Sequence, residues 1–350
     1  MQKVAVGGSG LVFAGSSQVF RPLGFNYDRD HRFRLLEEFW DAEWATVVAA
    51  LERMRGFGAN VVRIHLQLCE FMRDPDTACP ENLARLAALA RESERIGVYL
   101  DITGLGSYRN SDPAWYENAV EADRWRIQAR FWAAVAQALA GSPAVCWFNL
   151  MNEPTAPRAP VSGYVVPFIA GGLFYVQALT KDLDGRSAVQ VGAEWIAQMT
   201  AAIKAVDPYT LITVGMPGSL GVPAEAVQQM LTQIPPRLLP LLGQWRGGPQ
   251  PVVASERPNT ELDLYCLHSY PQTGAADQAI DEIRTWAAHG KPLVVEETFP
   301  LHCTIPEWLT YAHAADPDTA GWLSFYWGPP ADPNQNAATE LIHNLTAGTR

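Results

Sequence analysis

The 350-residue sequence is short of positive charge: 26 Lys and Arg stand against 37 Asp and Glu, for a formal net charge of −11. With no Lys/Arg-rich run, nucleic acid and anionic membrane surfaces are not expected partners, because both are held mainly through cations. Cysteine is scarce as well. Cys69, Cys79, Cys146, Cys266 and Cys303 are an odd five without Cys-x-x-Cys spacing, which argues against a zinc cluster or a full disulfide framework. Cys146 and Cys266 fall in predicted strands and read as buried thiols, while Cys69 and Cys79 could pair across a loop. No run of about 18 apolar residues is present to span a membrane. The N-terminus shows no charged leader followed by an apolar core, so the localisation stays open between cytoplasmic and secreted with a leader removed. A metal-dependent barrel hydrolase would need a His-x-His pair or an evident His/Asp cluster, and a dinucleotide enzyme a Gly-x-Gly-x-x-Gly between strand and helix. Neither occurs, so no metal and no cofactor is expected, and nothing in the sequence fixes the oligomeric state.

What is there suits a globular protein with a large core: 48% hydrophobic and 18% charged residues. We expect one domain over residues 1–350. Twelve tryptophans are unusual, and flat apolar faces of that kind suit the C–H surfaces of neutral sugars.

Periodicity divides the chain into alternating strands and helices. Residues 1–20 read as a hairpin on the barrel floor, its short apolar stretches broken by Gly7-Gly8-Ser9-Gly10. Predicted strands end near Asn26, Leu66, Thr103, Glu153, Gly215, Tyr270, Glu297 and Trp327, at intervals of 27 to 62 residues. Helical patterns fill the intervals, from Trp40–Gly56 to Ala337–Leu345. Eight strands joined by seven helix-bearing crossovers are the arithmetic of an α/β fold, a (β/α)8 TIM barrel. Two long insertions, 155–192 after the fourth strand and 216–261 after the fifth, would lie on the active face. The first holds Tyr164, Phe168, Phe174 and Tyr175 and reads as a folded cover; the second holds a predicted helix at Ala224–Ile234 and Trp245.

The stretch Trp147-Phe148-Asn149-Leu150-Met151-Asn152-Glu153-Pro154 carries the sharpest signal. Its apolar lead is too short for a helix and Pro154 stops it, so Asn152 and Glu153 stand at the carboxyl end of a barrel strand, where polar groups are available for chemistry. Arg63, His65 and Val61 alternate onto one face of the second strand, and a charge there needs a carboxylate partner in the lumen. Tyr108 lies in a loop of the active face. His268 and Tyr270 are two apart at the end of the sixth strand, and Asp28 faces the same mouth. Alternation allows only one of Glu296 and Glu297 to face inward.

A strand ending in Leu-Met-Asn-Glu-Pro resembles the fourth strand of the clan A retaining glycoside hydrolases, above all glycoside hydrolase family 5, the cellulase and β-mannanase superfamily. The resemblance runs from Phe25-Asn26-Tyr27 to Trp327. It implies that Glu153 is the general acid/base, that Asn152 binds the sugar 2-hydroxyl, and that Glu297 rather than Glu296 is the nucleophile. It also places His268 at a substrate hydroxyl and Trp327 as the stacking floor beneath the cleaved sugar. Thr103 stands where the family usually has a His, and Thr298-Phe299 where it has an aromatic and Gly. Arg63 and a hydrogen bond from Tyr270 would then favour the charged form of Glu297. The implied activity is retaining cleavage of β-linked glycans of the β-mannan or β-glucan type, with an oligo- or polysaccharide as partner. Transglycosylation, exo-β-glycosidase action on the same residues, or a barrel that binds saccharide without cleaving it remain open alternatives.

Overall fold

The computed structural model describes residues 1–167, 169–218, 232, 244–245, 248–329 and 332–347. An antiparallel hairpin, β1 (Val4–Gly7) and β2 (Gly10–Phe13), precedes the barrel strands β3 (Leu23–Asn26), β4 (Val61–Gln67), β5 (Tyr99–Gly106) and β6 (Val145–Asn152). Four short strands follow: β7 (Pro154–Ala156), β8 (Ile169–Ala170), β9 (Leu173–Phe174) and β10 (Gln177–Ala178). Then come β11 (Leu211–Pro217), β12 (Gln250–Pro251), β13 (Tyr265–His268), β14 (Leu293–Thr298) and β15 (Gly321–Ser324). Eight of these close a parallel ring in the order β3-β4-β5-β6-β11-β13-β14-β15. This is the (β/α)8 barrel that the strand spacing predicts.

Helices over Trp44–Gly56, Pro80–Ile96, Glu121–Leu139, Ala188–Lys204, Ala276–Ala287, Ile305–Ala315 and Pro333–Ala347 sit between or after the strands. Their ends follow local chemistry: Ser187 and Thr304 form capping boxes with Gln190 and Glu307, and Gly97 closes the Pro80 helix at φ +83°. Several begin a few residues away from the periodicity, as at Trp44 instead of Trp40 and Ala188 instead of Ala193. Apart from Thr232, the predicted helix at 224–234 lies outside the described residues, as does Phe168. No described helix is long and apolar enough to cross a membrane.

The lumen is layered. Val4, Leu11 and Phe20 of the N-terminal segment pack against Val61, Tyr99, Trp147, Leu211, Leu264, Cys266, Val294 and Leu323 to form an apolar floor. One pleat further along the same strands the side chains become Arg63, Asp101, Asn149, His268 and Glu296, all at most 1% exposed. The first insertion is folded: β7 pairs with β10 and β12, and Trp245 packs with Val161, Val166, Val176 and Ala178. All five cysteines are free, so the possible Cys69–Cys79 bridge does not form; Cys69 Sγ instead donates to Asp112 Oδ1 at 3.0 Å. Cys146 and Cys266 are buried thiols, as expected.

Candidate active site

Three register shifts at the carboxyl ends of the strands build the site. Between Thr213 and Gly215 of β11, strand β6 advances from Asn149 to Asn152, so β6 carries an extra residue before its end. Glu153 follows with φ +44°, a left-handed conformation costing about 1–3 kcal/mol in a residue with a side chain. Its N–H donates to Gly215 O at 2.9 Å, which holds the turn in place. On β14, Val295 pairs with Leu267 but Glu297 with His268, so Glu296 is the extra residue; a further shift follows on the β15 side. Strict alternation turns one of Glu296 and Glu297 outward. The bulge turns both into the lumen, where both touch Arg63 and His268.

Arg63 is the hub. Its Nε donates to Thr103 Oγ1 at 2.7 Å, Nη1 to Asn26 Oδ1 at 2.9 Å and to Glu297 Oε1, and Nη2 to Asn152 Oδ1 at 3.0 Å. Nη2 also lies 3.3 Å from Glu296 Oε2. With no exposure at all, the guanidinium depends on these partners, and they hold its proton more firmly than usual against the opposing effect of burial. Thr103 is the acceptor that orients the arginine at Nε.

His268 is held between three carboxylates. Its Nδ1 is 2.9 Å from Glu153 Oε1 and 3.4 Å from Glu297 Oε2, and its Nε2 is 3.2 Å from Glu296 Oε2. Burial alone would expel the charge, but Glu297 and the hydrogen bonds to Glu153 and Glu296 outweigh it and raise the pKa to about 9. Both ring nitrogens then donate. Ligand-type atoms of Glu153, His268 and Glu297 lie within 4.8 Å of one another, with His268 Nδ1 between the two carboxylates.

Glu297 also accepts the Tyr270 hydroxyl at Oε2, 2.7 Å away. The expectation that Arg63 and Tyr270 favour its charged form holds only for the sign of their contributions. Burial is the larger effect and leaves the carboxyl above its ordinary value, with His268 and Arg63 pulling the other way. Glu296 is the opposite case. Although equally buried, it is pushed well below the carboxylate range by Arg63 and by hydrogen bonds from His268 and Asp101. Asn149 Nδ2 donates to its Oε2 at 2.7 Å. As carboxylates, Asp101 and Glu296 would leave Asp101 Oδ1, Asp101 Oδ2 and Glu296 Oε1 without donors. A proton on Asp101, whose pKa is raised far above normal by burial and by Glu296, lets one Asp101 oxygen donate to Glu296 and reduces that conflict.

The remaining residues named from sequence divide into two groups. His65 lies beside the hub: burial and Arg63 keep its ring neutral, so Nε2–H points to Asn26 Oδ1 at 3.4 Å and Nδ1 accepts the Tyr108 hydroxyl at 2.7 Å. Asp28 Oδ2 accepts the Tyr175 hydroxyl at 2.9 Å and pairs with Arg29. Trp327 is not brought to these groups. Strand β15 ends at Ser324, the chain turns with Tyr326 N–H on Ser324 Oγ at 3.2 Å, and the Trp327 ring packs against Phe25 and Phe57 beneath the Arg53 guanidinium. Phe325 is the aromatic that faces Tyr270, Tyr175 and Phe299 at the mouth.

Sequence reasoning did not single out Asn26, Asp101, Asn149, Gly215 or Phe325 as site residues. Period-two alternation was the available signal for Asp101 and Asn149, two residues past Tyr99 and Trp147. Gly215 has a packing reason: a Cβ there would stand 2.8 Å from His268 Nε2 and 3.0 Å from Arg63 Nη2.

A family model described as Cellulase (glycosyl hydrolase family 5) matches residues 26–328. The chain belongs to glycosyl hydrolase family 5. It is accordingly a glycoside hydrolase. No curated protein matches its sequence. In fold this family 5 protein is similar to the endo-1,4-β-mannanase from Rhizomucor miehei, with a TM-score of 0.63 and 14% identity over 99% of each chain. It is also similar to the exo-β-1,4-mannosidase Op5Man5 from Opitutaceae bacterium strain TAV5, with a TM-score of 0.62 and 17% identity; the match covers 94% of this chain and 60% of that one. The catalytic domain of Thermobifida fusca endoglucanase Cel5A gives a TM-score of 0.57 and 14% identity over 98% of this chain and 97% of that one. At such identities the likeness concerns the fold.

Proposed function

We propose that this family 5 hydrolase cleaves β-linked glycans with retention of configuration, with Glu297 as nucleophile and Glu153 as acid/base. The observation that carries the reading is the approach of the two carboxyl groups, whose facing oxygens lie within 4.8 Å of one another around His268 Nδ1. A retaining pair sits about 5–5.5 Å apart, whereas an inverting pair needs about 6.5–9.5 Å to admit a water. The β-mannan or β-glucan substrate class is supported by the structural neighbours, an endo-1,4-β-mannanase and an endoglucanase among them.

In the first step the Glu297 carboxylate attacks the anomeric carbon, the bond to the leaving oxygen breaks, and Glu153 gives that oxygen a proton. Arg63, His268 and Tyr270 hold the attacking carboxylate and help it ionise despite burial. Asn152, with its Oδ1 on Arg63, is placed to meet the 2-hydroxyl. In the second step Glu153 takes a proton from water, which attacks the same carbon and releases Glu297.

The test is covalent trapping with 2-deoxy-2-fluoro β-glycosides of glucose and mannose, followed by peptide mass analysis, with Glu153→Gln assayed on aryl glycosides with and without azide. Label on Glu297, and azide rescue of Glu153→Gln giving a β-glycosyl azide, are expected. Label on Glu296 would reverse the nucleophile assignment, and an inverted anomeric product would overturn the double displacement.

A further inference from the structure

The chain leaving Glu153 does not return directly to the ring. Between β7 and β10 it sends out the β8–β9 hairpin, and the segment Leu173–Ala178 lies across the ends of other strands. Phe174 N–H donates to Tyr108 O at 2.9 Å, in the loop after β5. The Tyr175 hydroxyl donates to Asp28 Oδ2 at 2.9 Å, in the loop after β3, and the Tyr175 ring stands 4.8 Å from Tyr108 and 6.0 Å from Phe325 after β15. The hairpin turn is seated as well: a Cβ at Gly171 would come within 2.1 Å of the Phe33 ring. Starting from β6, the segment thus touches the loop after β5 and reaches those after β3 and β15. It is no loose lid, since Leu173, Tyr175 and Gln177 are all buried.

Asn152 fixes which side of the scissile bond this wall occupies. Its Nδ2 donates to Tyr175 O at 3.1 Å, so the wall adjoins the group placed for the 2-hydroxyl of the sugar under attack. That sugar and everything on its non-reducing side would have to run into Tyr175, which the buried Tyr108 and Asp28 hold in place. An internal cut needs an open groove on both sides of the bond. Behind the wall the buried Asp28 carboxylate accepts from Arg29 and Tyr175, and the Arg29 guanidinium is boxed at 5.2–5.9 Å by Phe33, Tyr175 and Phe325, so the wall is braced from two sides. We infer that the enzyme is exo-acting: the Tyr175 segment closes the non-reducing side of the site, and one terminal sugar is removed at a time.

This rests on the hydrolase reading and is tested separately from it. β-1,4-Manno- and gluco-oligosaccharides labelled at the reducing end would be digested alongside the soluble polysaccharides, following product lengths and viscosity. Monosaccharide as the sole early product, a labelled ladder shortened by single units, and unchanged viscosity are expected. In Tyr175→Ala the ratio of polymer chain scission to monosaccharide release should rise at least tenfold, whereas Tyr175→Phe, which keeps the ring and loses only the hydroxyl to Asp28, should remain exo-acting. Cleavage at internal bonds by the unaltered protein overturns the exo inference and leaves the hydrolase intact. Absence of both turnover and fluoro-sugar labelling overturns both.

Discussion

The two layers of the barrel lumen are built by the same strands, one pleat apart, and obey opposite rules. In the floor, Val61, Tyr99, Trp147, Leu264, Val294 and Leu323 meet in a cluster whose energetics are those of apolar burial. Above them Arg63, Asp101, Asn149, His268, Glu296 and Glu297 are buried almost as completely, and there burial opposes every charge. The upper layer persists because each ionised group faces an opposite one and the surplus carboxyl carries a proton. The comparison teaches that the floor is tolerant of composition and demanding of volume, whereas the upper layer is demanding of pairing.

The sharpest way to break that contrast is Arg63→Met, which leaves Glu296 and Glu297 without their cation. Stability should fall by about 3–5 kcal/mol, measured by urea unfolding, and turnover should be lost with it. Leu264→Ala in the floor should cost about 2–5 kcal/mol by cavity formation, while turnover per folded molecule stays within about twofold. A large loss of turnover there would mean that the layers are not separable.

His268 gives the next effect, and its sign is fixed by the direction of its shift. Its folded pKa, about 9, lies above the ordinary 6.5, so its contribution is complete below pH 6.5 and lost as pH rises through 9. The size is about 3 kcal/mol. Urea midpoints between pH 6 and 10 should decline in the unaltered protein and decline less in His268→Gln; parallel declines would refute a buried imidazolium. Asp101→Asn should be the mildest change, within about 1 kcal/mol, because an amide N–H can replace the acid O–H that Asp101 donates to Glu296. A loss approaching that of Arg63→Met would show Asp101 to be an ionised partner.

Sequence legibility follows the same division. Val61, Arg63 and His65 alternate onto one face because a regular strand has period two, and the structure keeps them there. Asn152 and Glu153 were legible because an apolar strand followed by Pro154 places them at an end. Glu296 was not, since the bulge that turns it inward arises from pairing with β13 and β15, whose registers no local pattern reveals. The family resemblance places Trp327 at the mouth. The turn at Ser324 and the pocket formed by Phe25, Phe57 and Arg53 take it elsewhere, and only distant residues make that pocket.

The sequence by itself determined the ring of eight strands, the carboxyl-end position of Glu153 and the need for a lumen partner to Arg63, because apolar periodicity, stop residues and the cost of a buried charge are local or near-local physics. Tertiary structure alone decided that both Glu296 and Glu297 face inward, that His268 lies among three carboxylates, and that Tyr175 crosses to Asp28. Each of those depends on a register or a contact between segments distant in the chain, where packing and long-range hydrogen bonds outweigh local preference.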